Sequence, residues 1–254
     1  MGYLAAADSG GLPCASELHR QNLWLIFWLA KMNQLICVIV SAALCIPQDT
    51  ETEWLSLFKE DGIPTGWRVT DWSDVGLAVQ DADWQVTNGV LRPGERRGTW
   101  LISEREFGDF TLEFEIKLTE LGNSGVALRS PLKGDPAFDG LEFQIADERY
   151  NPEAKDSELT GGLYRAAAPS KQVYRPTEWN SVRLELRGTR FCAWLNGEMI
   201  QDIDLRTYDQ PVPRHDGTLA PPLNQRPLRG HIGFQHLSRD GPVEIRNLRI
   251  KELQ

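Results

Sequence analysis

From Trp54 onward, apolar side chains recur every second residue rather than every third or fourth. In Phe110–Leu118 (FTLEFEIKL), Phe110, Leu112, Phe114, Ile116 and Leu118 share one face, and Thr111, Glu113, Glu115 and Lys117 share the other. Successive strand side chains point to opposite faces, so this pattern predicts a half-buried β-strand. Leu141–Ile145, Val182–Leu186 and Val243–Ile250 alternate likewise, with shorter candidates at Phe191–Leu195 and Ile232–Phe234. Turn residues separate these runs at Asn88-Gly89, Arg92-Pro93-Gly94, Gly122-Asn123, Asn196-Gly197 and Asp240-Gly241. Asn196-Gly197 is the strongest hairpin signal, because a type I′ turn needs positive φ at both central positions. No stretch of twelve residues carries a helical stripe, and residues 147–161 and 206–229 read as long loops. The expected fold is all-β, with about ten to thirteen strands in a single antiparallel jelly-roll sandwich.

The first 53 residues read differently. Two apolar runs, Leu23–Ala30 and Leu35–Ile46, are split by Lys31, Asn33 and Gln34. Neither reaches the roughly 20 residues that span a bilayer. The second follows Met32, has the length of a signal-peptide core and contains the small residues Ser41, Ala42 and Ala43. The expected organisation is an upstream extension over 1–31, a signal peptide over 32–46, a polar linker over 47–53 and one domain over 54–254. Export to the periplasm or cell envelope follows from that organisation. A single membrane anchor over 23–46 is the alternative. Cys45 follows Leu44 rather than a small residue, which disfavours a lipid anchor there.

Composition narrows the function classes. The 254 residues are 41% hydrophobic and 25% charged, as in an ordinary globular protein. A net charge of −9 argues against nucleic acid, because phosphate contacts need a basic stripe. Nine Trp supply flat surfaces suited to sugar rings. Cys14, Cys37, Cys45 and Cys192 form no CxxC, and the histidines form no HxH or HExxH, so a zinc-type site is not expected. The paired-acid run of retaining β-glucanase sandwiches and the GxSxG nucleophile elbow are both missing. By alternation, Arg129, Glu142, Gln144, His231 and Gln235 point outward. On neighbouring strands they would form a polar surface suited to a sugar, with a carboxylate able to act as base. An ordinary charged outer face is the plain alternative. Asp147, Asp156 and Glu158 could hold a structural calcium ion; no cofactor is otherwise predicted.

A series of short motifs sharpens this picture. Leu55–Phe58, Gly66-Trp67, Trp84–Leu91, Leu101–Glu104 and Phe107–Phe110 are followed by Gly122–Gly125 with Arg129 and by Gly140–Ile145. Then come Thr160–Tyr164, Ala168–Lys171, Glu178–Asn180, Trp194–Gly197, Gly230–Gln235 and Ile245–Ile250. In order and spacing, over residues 55–253, this series resembles the 3-keto-disaccharide hydrolase family. The resemblance implies a concanavalin A-like lectin/glucanase sandwich acting on glycosides oxidised at C3 by a separate oxidoreductase. A C3 ketone acidifies the C2 proton, so one base can remove it and expel the C1 substituent, with water adding later. In that reading Glu142 is the base or an essential polar anchor, and Arg129 stabilises the enolate. Asn123, Gln144, Tyr164, Lys171 and Gln235 are sugar ligands, joined by His231 and Trp100 as substrate-binding residues. A monomer is expected. The runner-up is a lectin-like module that presents Trp72 or Trp100 to a glycan without turning it over. The chain departs from the family pattern at Leu141 and in His236–Gly241.

Overall fold

The computed structural model describes residues 53–254. The expected extension, signal peptide, anchor and lipid site, with linker residues 47–52, lie outside the described residues. The strands are β1 (Leu55–Ser56), β2 (Trp67–Asp71), β3 (Trp84–Thr87), β4 (Val90–Pro93), β5 (Thr99–Phe107), β6 (Phe110–Lys117), β7 (Asn123–Ser130) and β8 (Leu141–Ala146). They continue with β9 (Asn180–Arg187), β10 (Arg190–Leu195), β11 (Glu198–Asp204), β12 (Val212–Pro213), β13 (Leu219–Ala220), β14 (Gly230–His236) and β15 (Glu244–Glu252). Fifteen strands exceed the expected number because β1, β12 and β13 are two-residue pairings without a readable period.

Two antiparallel sheets form the sandwich. One runs β11-β10-β9-β6-β15-β4-β3, with β1 on β15, and the other runs β2-β5-β14-β7-β8. Their inner faces supply one continuous core. Phe110, Leu112, Phe114 and Ile116 of β6 and Val182, Leu184 and Leu186 of β9 meet Val126 and Leu128 of β7, Phe143 and Ile145 of β8, and Phe234 of β14. The β10–β11 hairpin closes at Asn196-Gly197 with φ of 54° and 82°, and Leu195 pairs with Glu198, as a two-residue type I′ turn requires. Asn88-Gly89 does the same for β3–β4.

The five-stranded sheet is covered on its outer face too. Trp100 and Ile102 of β5 pack with Ala127 of β7 under Val75 and Trp72. Trp100 is therefore core, and its Nε1 donates to the Trp72 carbonyl at 3.0 Å. This corrects the expectation that Trp100 binds substrate: β5 is buried on both faces, which alternation alone does not reveal.

Arg129 is the second correction. It has φ of +50°, which breaks the strand's period and sends the side chain to the end of the sandwich rather than out beside Ala127. There it is fully buried. Its Nε donates to the Gly108 carbonyl at 2.9 Å, Nη1 to the Gly188 carbonyl at 2.7 Å, and Nη2 to Asp109 at 2.8 Å. The guanidinium ties β7 to the β5–β6 and β9–β10 turns, away from the position expected for an enolate donor.

Candidate active site

A cleft of about 630 Å³ lies on the outer face of the five-stranded sheet. Its floor follows from register. Gly125 faces Gln144 and Ala127 faces Glu142 across β7–β8, and β14 lies on the other side of β7. Small residues on β7 thus make room for long polar residues on β8. A Cβ built on Gly125 would stand 1.9 Å from Glu142 Oε1 and 2.7 Å from its Cδ, so the Glu142 side chain lies across the bare backbone of Gly125. Asn123 and Gln235, from β7 and β14, complete the floor.

The free edge of β8 is covered by residues 160–167. The Gln144 N–H donates to the Gly162 carbonyl, the Tyr164 N–H to the Glu142 carbonyl, and Leu163 bridges to Phe143. This strap carries Tyr164 and Arg165 to the mouth of the cleft, where Arg165 pairs with Glu158 at 2.7 Å. A four-residue helix, α1 (Pro136–Asp139), closes another wall. Asp135 caps it by accepting from the Ala137 N–H at 3.0 Å, and Pro136 fits the first turn because its missing donor would have no partner there. Arg226 donates to the Ala137 and Gly140 carbonyls, and Arg214 pairs with Asp139. His215, from the 206–229 loop, sits among rings: its centroid is 5.3 Å from Phe138, 5.9 Å from Tyr164 and 6.0 Å from Trp72.

The electrostatics centre on two carboxyls. Glu142 is 3% exposed, and among the described residues no donor reaches its carboxyl. Burial, and then the charge of Asp135, push it well above the usual carboxylate range. Burial raises Asp135 to about 6; Asp139 adds to that, while the Ala137 N–H, Arg214 and Arg226 oppose it. Burial also raises the Tyr164 phenol and lowers the His215 imidazole. Asn123 Oδ1 is buried without a partner, and Gln144 Nε2 donates to the Glu158 carbonyl at 3.2 Å.

Of the residues expected to form the site, the cleft gathers Glu142, Asn123, Gln144, Tyr164 and Gln235, with Trp72 at its edge. Lys171 is not among its lining residues; it is ion-paired with Glu198 of β11. Nor is His231, whose Nδ1 lies 2.8 Å from the Ser103 carbonyl and whose Nε2 lies 3.6 Å from Glu106. A bulge between His231 and Gly233 separates its pairing from that of Gln235. The loop acids are engaged by cations: Asp147 accepts from Arg149 at 2.7 Å and Glu158 from Arg165, while Asp156 is exposed. Among the described residues no three His, Cys, Asp or Glu side chains are placed to hold a metal ion.

Sequence reasoning missed Asp135, Arg165 and His215. The Asp-Pro start of α1 is a helix N-terminus signature that would have flagged Asp135. The loop around His215 has no periodicity to read.

Two antiparallel sheets with a carboxyl-floored cleft on one outer face define a lectin/glucanase-type sandwich. The chain belongs to the family of the 3-keto-α-glucoside-1,2-lyase-like domain, whose sequence profile matches residues 53–251. Three solved structures of candidate glycosyl hydrolases from Parabacteroides distasonis share the fold. The first is 24% identical, covers 79% of this chain and 100% of its own, and superposes with a TM-score of 0.65. The second is 24% identical over 79% and 94%, with a TM-score of 0.61. The third is 21% identical over 80% and 84%, with a TM-score of 0.55. No curated protein matches the chain.

Proposed function

We propose that the protein cleaves the glycosidic bond of a 3-keto-glycoside by elimination across C1–C2, with water adding to the enone afterwards. The observation that carries this reading is the pair of buried carboxyls, Glu142 and Asp135, in a cleft that amides, aromatic rings and the arginines Arg96, Arg97 and Arg165 also line. The C3 ketone is the electron sink, so the protein has to supply a base for the C2 proton, a donor for the C3 oxygen and groups that hold the sugar. Asn123, Gln144 and Gln235 suit the sugar hydroxyls, and Trp72, Tyr164 and His215 suit its faces. The reaction needs no organic cofactor, because the substrate arrives already oxidised. A separate oxidoreductase acting at C3 must supply it. Export, as read from residues 32–46, would place the reaction outside the cytoplasm.

The cleft volume lies within the range of small-ligand sites, and the exposed aromatic edge favours one competing reading, a carbohydrate-binding module. The test uses the purified protein with 3-keto-trehalose and 3-ketolactose, following release of the keto-sugar. Release is expected, with weak binding of the unoxidised sugars by calorimetry. Tight binding of unoxidised sugars without release from any 3-keto linkage would sink the enzymatic reading and leave the binding module.

A further inference from the structure

The elimination reading leaves open which group takes the C2 proton and which meets the C3 oxygen, and with Arg129 buried elsewhere the second role falls to a side chain that lines the cleft. The two cleft carboxyls are unequal in a way that geometry alone displays. Glu142 lies flat over Gly125, 3% exposed, with no donor within reach among the described residues. An ionised carboxylate there would be a largely buried charge with no protein donor, which is more costly than the neutral acid. Asp135 has what an anion needs. Its Oδ1 accepts the Ala137 N–H, its second oxygen makes no hydrogen bond among the described residues, and Arg214 and Arg226 stand nearby.

Resting on the proposed function, we infer that Asp135 is the base that removes the C2 proton and that Glu142, as the neutral acid, donates its hydrogen bond to the C3 oxygen. In the elimination, the C2–H bond breaks toward Asp135 and its electron pair forms the C2=C3 bond. The C3 oxygen takes up negative charge against the Glu142 O–H. Return of that charge reforms the C3 carbonyl, makes the C1=C2 bond and breaks the bond from C1 to the departing oxygen. That oxygen then recovers the proton from Asp135. Atoms and charge balance without an oxidant or metal. The C2 hydrogen and the C3 oxygen are on adjacent carbons, so two neighbouring carboxyls suit them. A carboxylic acid kept neutral by a buried site is an established device for holding an oxyanion.

The charged groups around the pair agree with this division. Asp139, Arg214 and Arg226 surround Asp135, and on balance burial leaves it titrating near neutrality, where a general base is most effective. Glu142 faces Asp135 and Tyr164. Asp147 and Glu158 are neutralised by Arg149 and Arg165, and the His215 imidazole is biased toward its neutral form.

The experiment follows deuterium uptake at C2, and product release, from 4-nitrophenyl 3-keto-α-glucoside in D₂O across pH. Wild type is expected to give a bell-shaped profile, with an acid limb from Asp135 and an alkaline limb from Glu142. Asp135→Asn keeps the helix cap but has no base, and should lose exchange by about 10²–10⁴-fold. Glu142→Gln keeps a neutral donor. It should slow exchange by about 10-fold and lose the alkaline limb, whereas Glu142→Ala should fall about 10²–10³-fold, as for loss of an oxyanion donor. Circular dichroism establishes that each variant is folded. The inference is overturned if Asp135→Asn exchanges normally, or if Glu142→Gln is as inert as Asp135→Asn. Wild type that neither exchanges nor releases would instead overturn the elimination reading itself.

Discussion

The Glu142 carboxyl occupies the space a methyl group on Gly125 would need: an added Cβ would meet Oε1 at 1.9 Å, Cδ at 2.7 Å and Cγ at 2.9 Å. Position 125 therefore fixes where the carboxyl stands, although glycine has no chemistry of its own. Gly125→Ala should move the carboxyl off the cleft floor and destabilise the fold by about 1–3 kcal/mol, the usual cost of overpacking. Turnover of a 3-keto-glycoside should fall about 100-fold, since a displacement near 1 Å has that effect on a reacting group. Urea unfolding and steady-state kinetics check the two effects separately. Full activity in a folded Gly125→Ala protein would show that the Glu142 position is not critical.

The sandwich was legible in the sequence because period-two alternation survives wherever one strand face is wet. Strands β6, β9 and β15 kept their expected bounds within a few residues. The site was legible in part, because β8 and β14 keep polar residues on alternate positions although both faces are buried: Glu142, Gln144 and Gln235 follow from that alternation. The misses have local causes. One left-handed residue at Arg129 cancels the period at that position, and a bulge after His231 shifts the register. Trp100 lies where both faces are buried, so its side of the sheet carries no polar signature. Asp135, Arg165 and His215 sit on loops, and only tertiary folding brings them over the sheet.

Arg129 should behave as a strut rather than a catalytic group. Its side chain is fully buried and makes three hydrogen bonds, so Arg129→Ala leaves the Gly108 and Gly188 carbonyls without this donor, while Asp109 keeps the Gly188 N–H. Asp109 is partly exposed, so the cost comes chiefly from the lost carbonyl hydrogen bonds and packing, about 1–3 kcal/mol. Lysine cannot reproduce the fork and should rescue little. The variant is expected to lose stability in urea while its folded fraction keeps wild-type kcat. A folded variant with kcat lowered 100-fold or more would return Arg129 to the chemistry.

Stability should carry the mark of Asp135. A carboxyl whose folded value is raised, here from 3.8 to about 6, stabilises the fold fully below pH 3.8 and loses that contribution as pH rises through 6. The separation is worth about 3 kcal/mol. Asp135→Asn is neutral throughout, keeps the cap and removes the repulsion on Glu142. Its stability relative to wild type should therefore improve by about 2 kcal/mol between pH 4 and pH 7. Urea midpoints at the two pH values test this. An equal difference at both would mean that Asp135 ionises in the fold as it does in an open chain.

Trp72 should bind sugar without taking part in proton transfer. It is half-buried at the edge of the cleft, its ring is 6.0 Å from His215, and its backbone carbonyl is anchored by Trp100. The backbone anchor survives a side-chain change, so Trp72→Ala removes the stacking face while the loop keeps a hydrogen bond. Loss of an aromatic platform worth about 1–1.5 kcal/mol corresponds to a roughly 10-fold weaker complex. The expected result is a KM raised about 10-fold with kcat little changed, and partial recovery in Trp72→Phe, because binding common to ground and transition states acts on KM alone. Tryptophan fluorescence titration with the 3-keto-glycoside provides an independent check, since the wild-type signal from position 72 should respond to ligand. An unchanged KM in Trp72→Ala would place the sugar away from this edge, toward Tyr164 and the strap.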